Sequence, residues 1–182
     1  MIILFIPINS PTGEGNKIEK AIKYTVTPNK NISIFPYSGT KVYTDLEYRL
    51  KLAAVFKDAS IHFDLPIGIL ITIAYRESIF RPGLTGPNGE LGIMQVGKFG
   101  RKKCKEYCTE IDTISGGIFC GACWFNMGKQ QCKGDLTKAV YAYASGKCTS
   151  KSERTKRIVN KRLKLWIILA ELLRGERFKN VN

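Results

Sequence analysis

The sequence predicts a mainly α domain interrupted by long loops. Three observations predict it. Several stretches carry apolar residues three and four apart, capping residues stand at the head of most of them, and glycine and proline gather between them. At 182 residues, with 44% apolar and 24% charged side chains, the chain fits one domain around one buried core.

Residues 1–43 read as an N-terminal extension. Pro7, Pro11, Gly13, Gly15, Pro28, Pro36 and Gly39 punctuate it, and Ile32 to Phe35 is a short apolar run suited to a strand or a docked arm. The opening MIILFIPI has no basic stretch before it and no small-residue cleavage site, so it is not expected to be a complete signal peptide. The domain proper is expected over residues 44–175, and 176–182 read as a C-terminal tail.

Thr44 or Asp45 can cap a helix carrying Leu46, Leu50, Ala53 or Ala54, and Lys57. The segment His62-Phe63-Asp64-Leu65-Pro66 reads as a break, with Pro66 suited to the first position of a second helix that runs to Phe80. Its core IGILITIA is rich in β-branched residues, so a buried strand is the alternative; length and the proline start favour a helix. Residues 81 to 93 are expected to be loop. A third helix is expected from Thr113 or Ser115 to about Met127, a fourth from Asp135 or Thr137 through Tyr143, and a last one over about Ser152 to Leu173. The run LKLWIILAELL in that last helix is broken by Lys164 and Glu171 and is too short for a membrane span.

Leu70, Ile73, Glu77 and Phe80 of the second helix fall on one face, which places a carboxylate on an apolar stripe. The helix C-terminus disfavours negative charge there as well. Both effects should raise the Glu77 pKa and keep a proton on it for general acid work. The plainer reading is a surface pair with Arg76, Arg81 or a lysine. Downstream, Gly86-Pro87-Asn88-Gly89 is a strong turn signal that would fold Gly92 to Gln95 back against Glu77.

Glu77-Ser78, Gly89-Glu90-Leu91-Gly92-Ile93-Met94-Gln95 and Ala142-Tyr143-Ala144-Ser145-Gly146 resemble, in order and separation, the signature blocks of lytic transglycosylases with the goose-type lysozyme-like fold. Asp112 to Gly117 and Asp135-Leu136-x-x-Ala139 look like the connecting segments of that family. The resemblance spans about residues 44 to 170. It implies a lysozyme-like helical domain that cleaves the β-1,4 bond between N-acetylmuramic acid and N-acetylglucosamine in peptidoglycan glycan strands. It also implies that the reaction ends in a 1,6-anhydro product, needs no cofactor or metal, and uses Glu77 as the catalytic acid/base. Ser78 would orient that glutamate or the substrate, Gly92, Met94 and Gln95 would line the sugar site, and Tyr143 would hydrogen-bond near Glu77.

Two positions depart from the pattern. Ile93 replaces a leucine, a change that conserves volume. Ala144 replaces an asparagine, which removes one substrate-binding amide. A lysozyme-type hydrolase remains an alternative, with Glu90, Asp112 or Asp135 as second carboxylate. So does a non-catalytic wall-binding or structural module.

All six cysteines lie between Cys104 and Cys148. An even, clustered set suggests disulfides and an oxidising compartment. The spacing Cys104-x3-Cys108 with Cys120-x2-Cys123 also permits zinc, but it leaves Cys132 and Cys148 unexplained. Disulfides are the favoured reading, and the sequence does not select the pairing. The net charge is +14, which suits a polyanionic partner such as anionic wall polymer. Basic clusters occur at Arg101-Lys102-Lys103 and from Lys151 through Arg162. Their plain reading is a solvated helical face; with few aromatics interleaved, specific nucleic-acid binding is not expected, and a zinc-stapled nucleic-acid binder is the distant alternative. His62 is the sole histidine, which leaves Ser-His or Cys-His catalysis little support; it reads as structural. The implied setting is periplasmic or extracellular. Delivery by a phage particle or an envelope-spanning secretion machine is one route consistent with the missing leader.

Overall fold

The computed structural model describes residues 13–26 and 46–175. Their order is α1 (Gly13–Val26), α2 (Leu46–Phe63), α3 (Ile67–Ser78), α4 (Lys98–Lys103), a 3-10 turn at Lys105–Tyr107, α5 (Ile114–Gln131), α6 (Leu136–Ser145) and α7 (Glu153–Arg174). Among the described residues there is no strand. The loop between α3 and α4 is stitched by two isolated antiparallel bridges, Thr85 with Leu91 and Leu91 with Val96. No helix described is long and apolar enough to cross a membrane. The mainly α expectation holds.

The central element is α3. Every residue from Gly68 to Tyr75 is buried, so its β-branched run forms a helix because it is enclosed on all sides, where burial outweighs local preference. Ile69, Leu70, Ile71 and Ile73 each contribute about 1.5–3 kcal/mol by leaving water. Around α3 stand α7, α2, α1 and α5, while α6 bridges α5 and α7.

The N-terminal stretch holds an element that the sequence pattern did not suggest. Gly13–Val26 is helical and buries Ile18, Ala21 and Ile22 against the rest of the core. The run Ile32 to Phe35 and the caps Thr44 and Asp45 lie outside the described residues. Helix α2 presents a different face from the one expected: Leu52, Ala53, Phe56, Ala59 and Phe63 are buried, whereas Leu46 is exposed. His62 and Phe63 belong to its last turn rather than to a break, which comes at Asp64, where φ is 50°. His62 then joins Tyr107 through Nε2 at 3.0 Å.

Three helix starts carry the caps that the sequence offers. Thr113 accepts from the Gly116 amide at 3.0 Å, Asp135 from the Lys138 amide at 3.0 Å, and Ser152 from the Thr155 amide at 3.3 Å. Each satisfies an otherwise orphaned amide and contributes about 1 kcal/mol.

The cysteines form three disulfides: Cys104–Cys123, Cys108–Cys120 and Cys132–Cys148. The first two fasten α4 and the 3-10 turn to α5, and the third fastens the end of α5 to the segment before α7. All four cysteines of the zinc alternative are consumed by the first two bridges, so that alternative is overturned.

Candidate active site

Helix α3 ends abruptly beyond Ser78. Ile79 and Phe80 both adopt left-handed backbone, with φ of 53° and 60°. For a β-branched residue such as Ile79 this is an outlier that costs on the order of 1–3 kcal/mol, so its surroundings must impose it. They do so through Phe80. Its ring is buried edge-on against Phe56, and its carbonyl accepts from the Tyr48 hydroxyl at 2.5 Å. The chain reverses directly after Glu77 and Ser78, which leaves Glu77 on the rim of the core with its side chain 21% exposed.

The glycine-rich loop returns to this point. The Gly89 amide donates to the Gly86 carbonyl at 3.1 Å, closing the expected turn, and the Gly86 amide donates to the Glu90 carbonyl at 2.7 Å. Ser78 is buried, and its Oγ donates to the Ile93 carbonyl at 2.6 Å. The serine beside the glutamate therefore fastens the returning segment of the loop. Gly92 has φ of +78°, and a Cβ there would collide with the Ile111 carbonyl; the close approach it permits in the fold is to that backbone. Met94 is fully buried under Gly121, where a Cβ would strike its side chain. Gln95 is half-buried at φ 51°, and its Nε2 donates to the Leu84 and Gly92 carbonyls at 2.8 and 2.9 Å.

From α6, Tyr143 donates its hydroxyl to the Met94 carbonyl at 2.6 Å. Its phenol pKa is pushed well above the usual value, first by burial and then by the nearby Glu77 carboxylate. Ala144, next to it, is half-buried against the core. The fold thus gathers Glu77, Ser78, the Gly92–Gln95 segment and Tyr143 from three separate parts of the chain.

Helix α7 supplies a residue that the sequence reading passed over. Arg162 bonds through Nη2 to Oε1 of Glu77, and its guanidinium carbon lies 5.9 Å from the centre of the Tyr143 ring. The Glu77 partner is therefore neither Arg76, Arg81 nor a surface lysine. The basic run that ends at Arg162 suggests a solvated face, but Arg162 points inward while Arg154, Arg157 and Lys164 stay exposed. The available signal was its place on the apolar stripe of α7, between Val159 and Leu165.

The Glu77 pKa is raised. Burial is the leading cause; Arg162 and Arg76 oppose it, and the Glu90 carboxylate adds to it by repulsion. Glu90 is itself held low, chiefly by the Asn88 side-chain amide at 2.9 Å. Of the three candidate second carboxylates, Glu90 is the one near enough to act on Glu77; Asp135 is occupied as a helix cap and Asp112 is exposed. A carboxyl group whose pKa is raised by burial, still partly reachable from solvent and walled by the 84–96 loop, is equipped to donate a proton and take one back.

Residues 54–164 match the family model described as the transglycosylase SLT domain. No curated protein sequence matches the chain. Among solved structures, it is similar to an inactive mutant of the lytic transglycosylase Slt from Pseudomonas aeruginosa, at 18% identity and a TM-score of 0.60. That alignment covers 75% of this chain and 27% of the other, so the chain spans about a quarter of that protein's length. The likeness is one of fold, helical and lysozyme-like.

Proposed function

The chain belongs to the transglycosylase SLT domain family; we propose that it cleaves peptidoglycan as a transglycosylase, that Glu77 is its single acid/base and that its product carries a 1,6-anhydro end. The observation that carries the proposal is Glu77 itself, a carboxyl group whose apolar enclosure favours the protonated form at a point still open to substrate.

A glycan would lie along the 84–96 loop with the bond between N-acetylmuramic acid and N-acetylglucosamine over Glu77. The glutamate gives its proton to the glycosidic oxygen as the C1–O bond breaks, and the electron pair of that bond stays with the leaving sugar. The carboxylate left behind then accepts the proton of the C6 hydroxyl as that oxygen closes on C1. One carboxyl group serves both steps, and no water is consumed. In this reading Ser78 and Tyr143 act on the wall of the site. Each holds one loop carbonyl, at Ile93 and Met94, which fixes the loop that walls the site beside Glu77.

A lysozyme-type hydrolase is favoured by one observation, the electrostatic reach of Glu90 to Glu77. In that reading Glu90 would activate a water molecule. The two readings separate in a solubilisation assay on purified peptidoglycan. Glu77→Gln is expected to lower the rate by about 100-fold or more, the usual scale for a positioned acid/base. Glu90→Gln is expected to leave most of it, and a collapse comparable to that of Glu77→Gln would favour the hydrolase. Three disulfides call for an oxidising compartment, which suits an enzyme that meets its substrate in the cell envelope or outside the cell.

A further inference from the structure

Arg162 stands where the helical repeat of α7 calls for an apolar side chain. Val159, Leu165 and Leu169 of that helix are buried, and Arg162 is only 6% exposed among them. Its Nη2 meets Oε1 of Glu77, while Nε and Nη1 are shut off from solvent with no hydrogen-bond partner among the described residues. Taking both charges out of water costs about as much as their attraction returns, and the orphaned donors on Nε and Nη1 add to the cost. Apolar residues of similar volume in place of both partners would hold the helices as well or better, whereas removing the arginine alone would strand a buried carboxyl. Stability therefore does not account for the presence of the pair.

Building on the reading of Glu77 as acid/base, we propose that Arg162 is a positioning residue for it: by holding Oε1 it fixes the carboxyl plane, confines the transferable proton to Oε2, and balances the negative charge that appears when that proton leaves. Oε2 receives no hydrogen bond from the described residues, so it is the oxygen left for a substrate. The guanidinium is in turn seated against the Tyr143 ring, and the Tyr143 hydroxyl is tied to Met94. Helices α6 and α7 and the loop thus fix the pair together.

The proton count closes on this arrangement. When the glycosidic bond breaks, the leaving oxygen takes the proton from Oε2, and a carboxylate remains opposite Arg162. The proton from the C6 hydroxyl then returns to Oε2 and restores the starting pair. The groups that face Glu77 are Arg162 from α7, Tyr143 from α6, Glu90 from the loop and Arg76 beside it on α3. Among the described residues, Arg162 is the one hydrogen-bonded to its carboxylate.

The test is a carbon-13 NMR titration of glutamate side-chain carboxyls in the full chain, comparing wild type, Arg162→Met and Arg162→Lys, with Glu77→Gln to assign the Glu77 signal. Thermal unfolding checks that each variant is folded. Without the guanidinium, the Glu77 midpoint is expected to move up by about one pH unit or more. The alkaline limb of kcat/KM on soluble glycan should move up with it while the plateau falls. Arg162→Lys keeps the charge but loses the fork, so its midpoint should stay near wild type while kcat falls about tenfold or more at unchanged KM. A folded Arg162→Met whose Glu77 midpoint does not move overturns the proposal, even if its activity is lost. If Arg162→Met does not fold, an Arg162→Lys with wild-type kcat overturns it. Failure of the underlying reading looks different: Glu77→Gln would keep its activity, and the titration, which needs no turnover, would still report on the pair.

Discussion

Arg162 and Glu77 are 85 residues apart in the chain, yet they share a hydrogen-bonded ion pair at the end of the central helix. The pair joins the most enclosed helix of the fold to the helix with the most basic surface. It also puts the one charge on the buried stripe of α7 against the one carboxylate on the apolar face of α3.

The burial that raises the Glu77 pKa has a consequence for stability. In the folded state Glu77 keeps its proton to higher pH than the ordinary value of 4.5 that it has when unfolded. Between the two values the folded state binds more protons, so its stability falls as pH rises through that window and stays reduced above it. Gln at position 77 cannot ionise. The melting-temperature advantage of Glu77→Gln over wild type should therefore grow as pH is raised from about 4 toward neutrality. An advantage that stays flat or shrinks would contradict the direction assigned to Glu77.

Gly92→Ala should cost about 3 kcal/mol, the sum of a left-handed backbone penalty and a collision with the Ile111 carbonyl. Gly89 has the same φ of +78° but open space around it, so Gly89→Ala should cost only about 1–2 kcal/mol. Urea unfolding of the two variants measures the difference. Equal costs would mean that the Gly92–Ile111 contact yields without strain.

The intact protein should weigh six hydrogens less than its reduced form, with Cys104–Cys123, Cys108–Cys120 and Cys132–Cys148 recovered as linked peptides. Each bridge closes a short loop and should contribute roughly 2–4 kcal/mol. Replacing both members of the Cys132–Cys148 pair by serine should lower the urea midpoint accordingly. An unshifted midpoint would show that the α5–α6 corner is held by packing alone.

Most of the frame was legible in the sequence because its signals are local. Thr113, Asp135 and Ser152 mark helix starts by a bond to an amide three residues on, and Gly86 to Gly89 marks a turn within four residues. The enclosure of Glu77 followed from helical spacing. What stayed hidden depends on partners distant in the chain. Helix α1 is flanked by prolines and glycines and earns its place only when Ile18, Ala21 and Ile22 meet α2, α3 and α7. Arg162 sits in a basic run that reads as solvent-facing until the phase of α7 is fixed by Val159 and Leu169. Met94 and Gly92 lie in a motif that suggests contact with a sugar, but the side-chain contacts that define them are to Gly121 and Ile111.

Mass spectrometry of the soluble fragments released from purified peptidoglycan, by wild type and by Glu77→Gln, tests the central claim most directly. A single glutamate that transfers the glycosidic bond to the C6 oxygen predicts fragments one water lighter than hydrolysis products, present with wild type and absent with Glu77→Gln. Fragments with ordinary reducing ends, or anhydro fragments undiminished in Glu77→Gln, would contradict it.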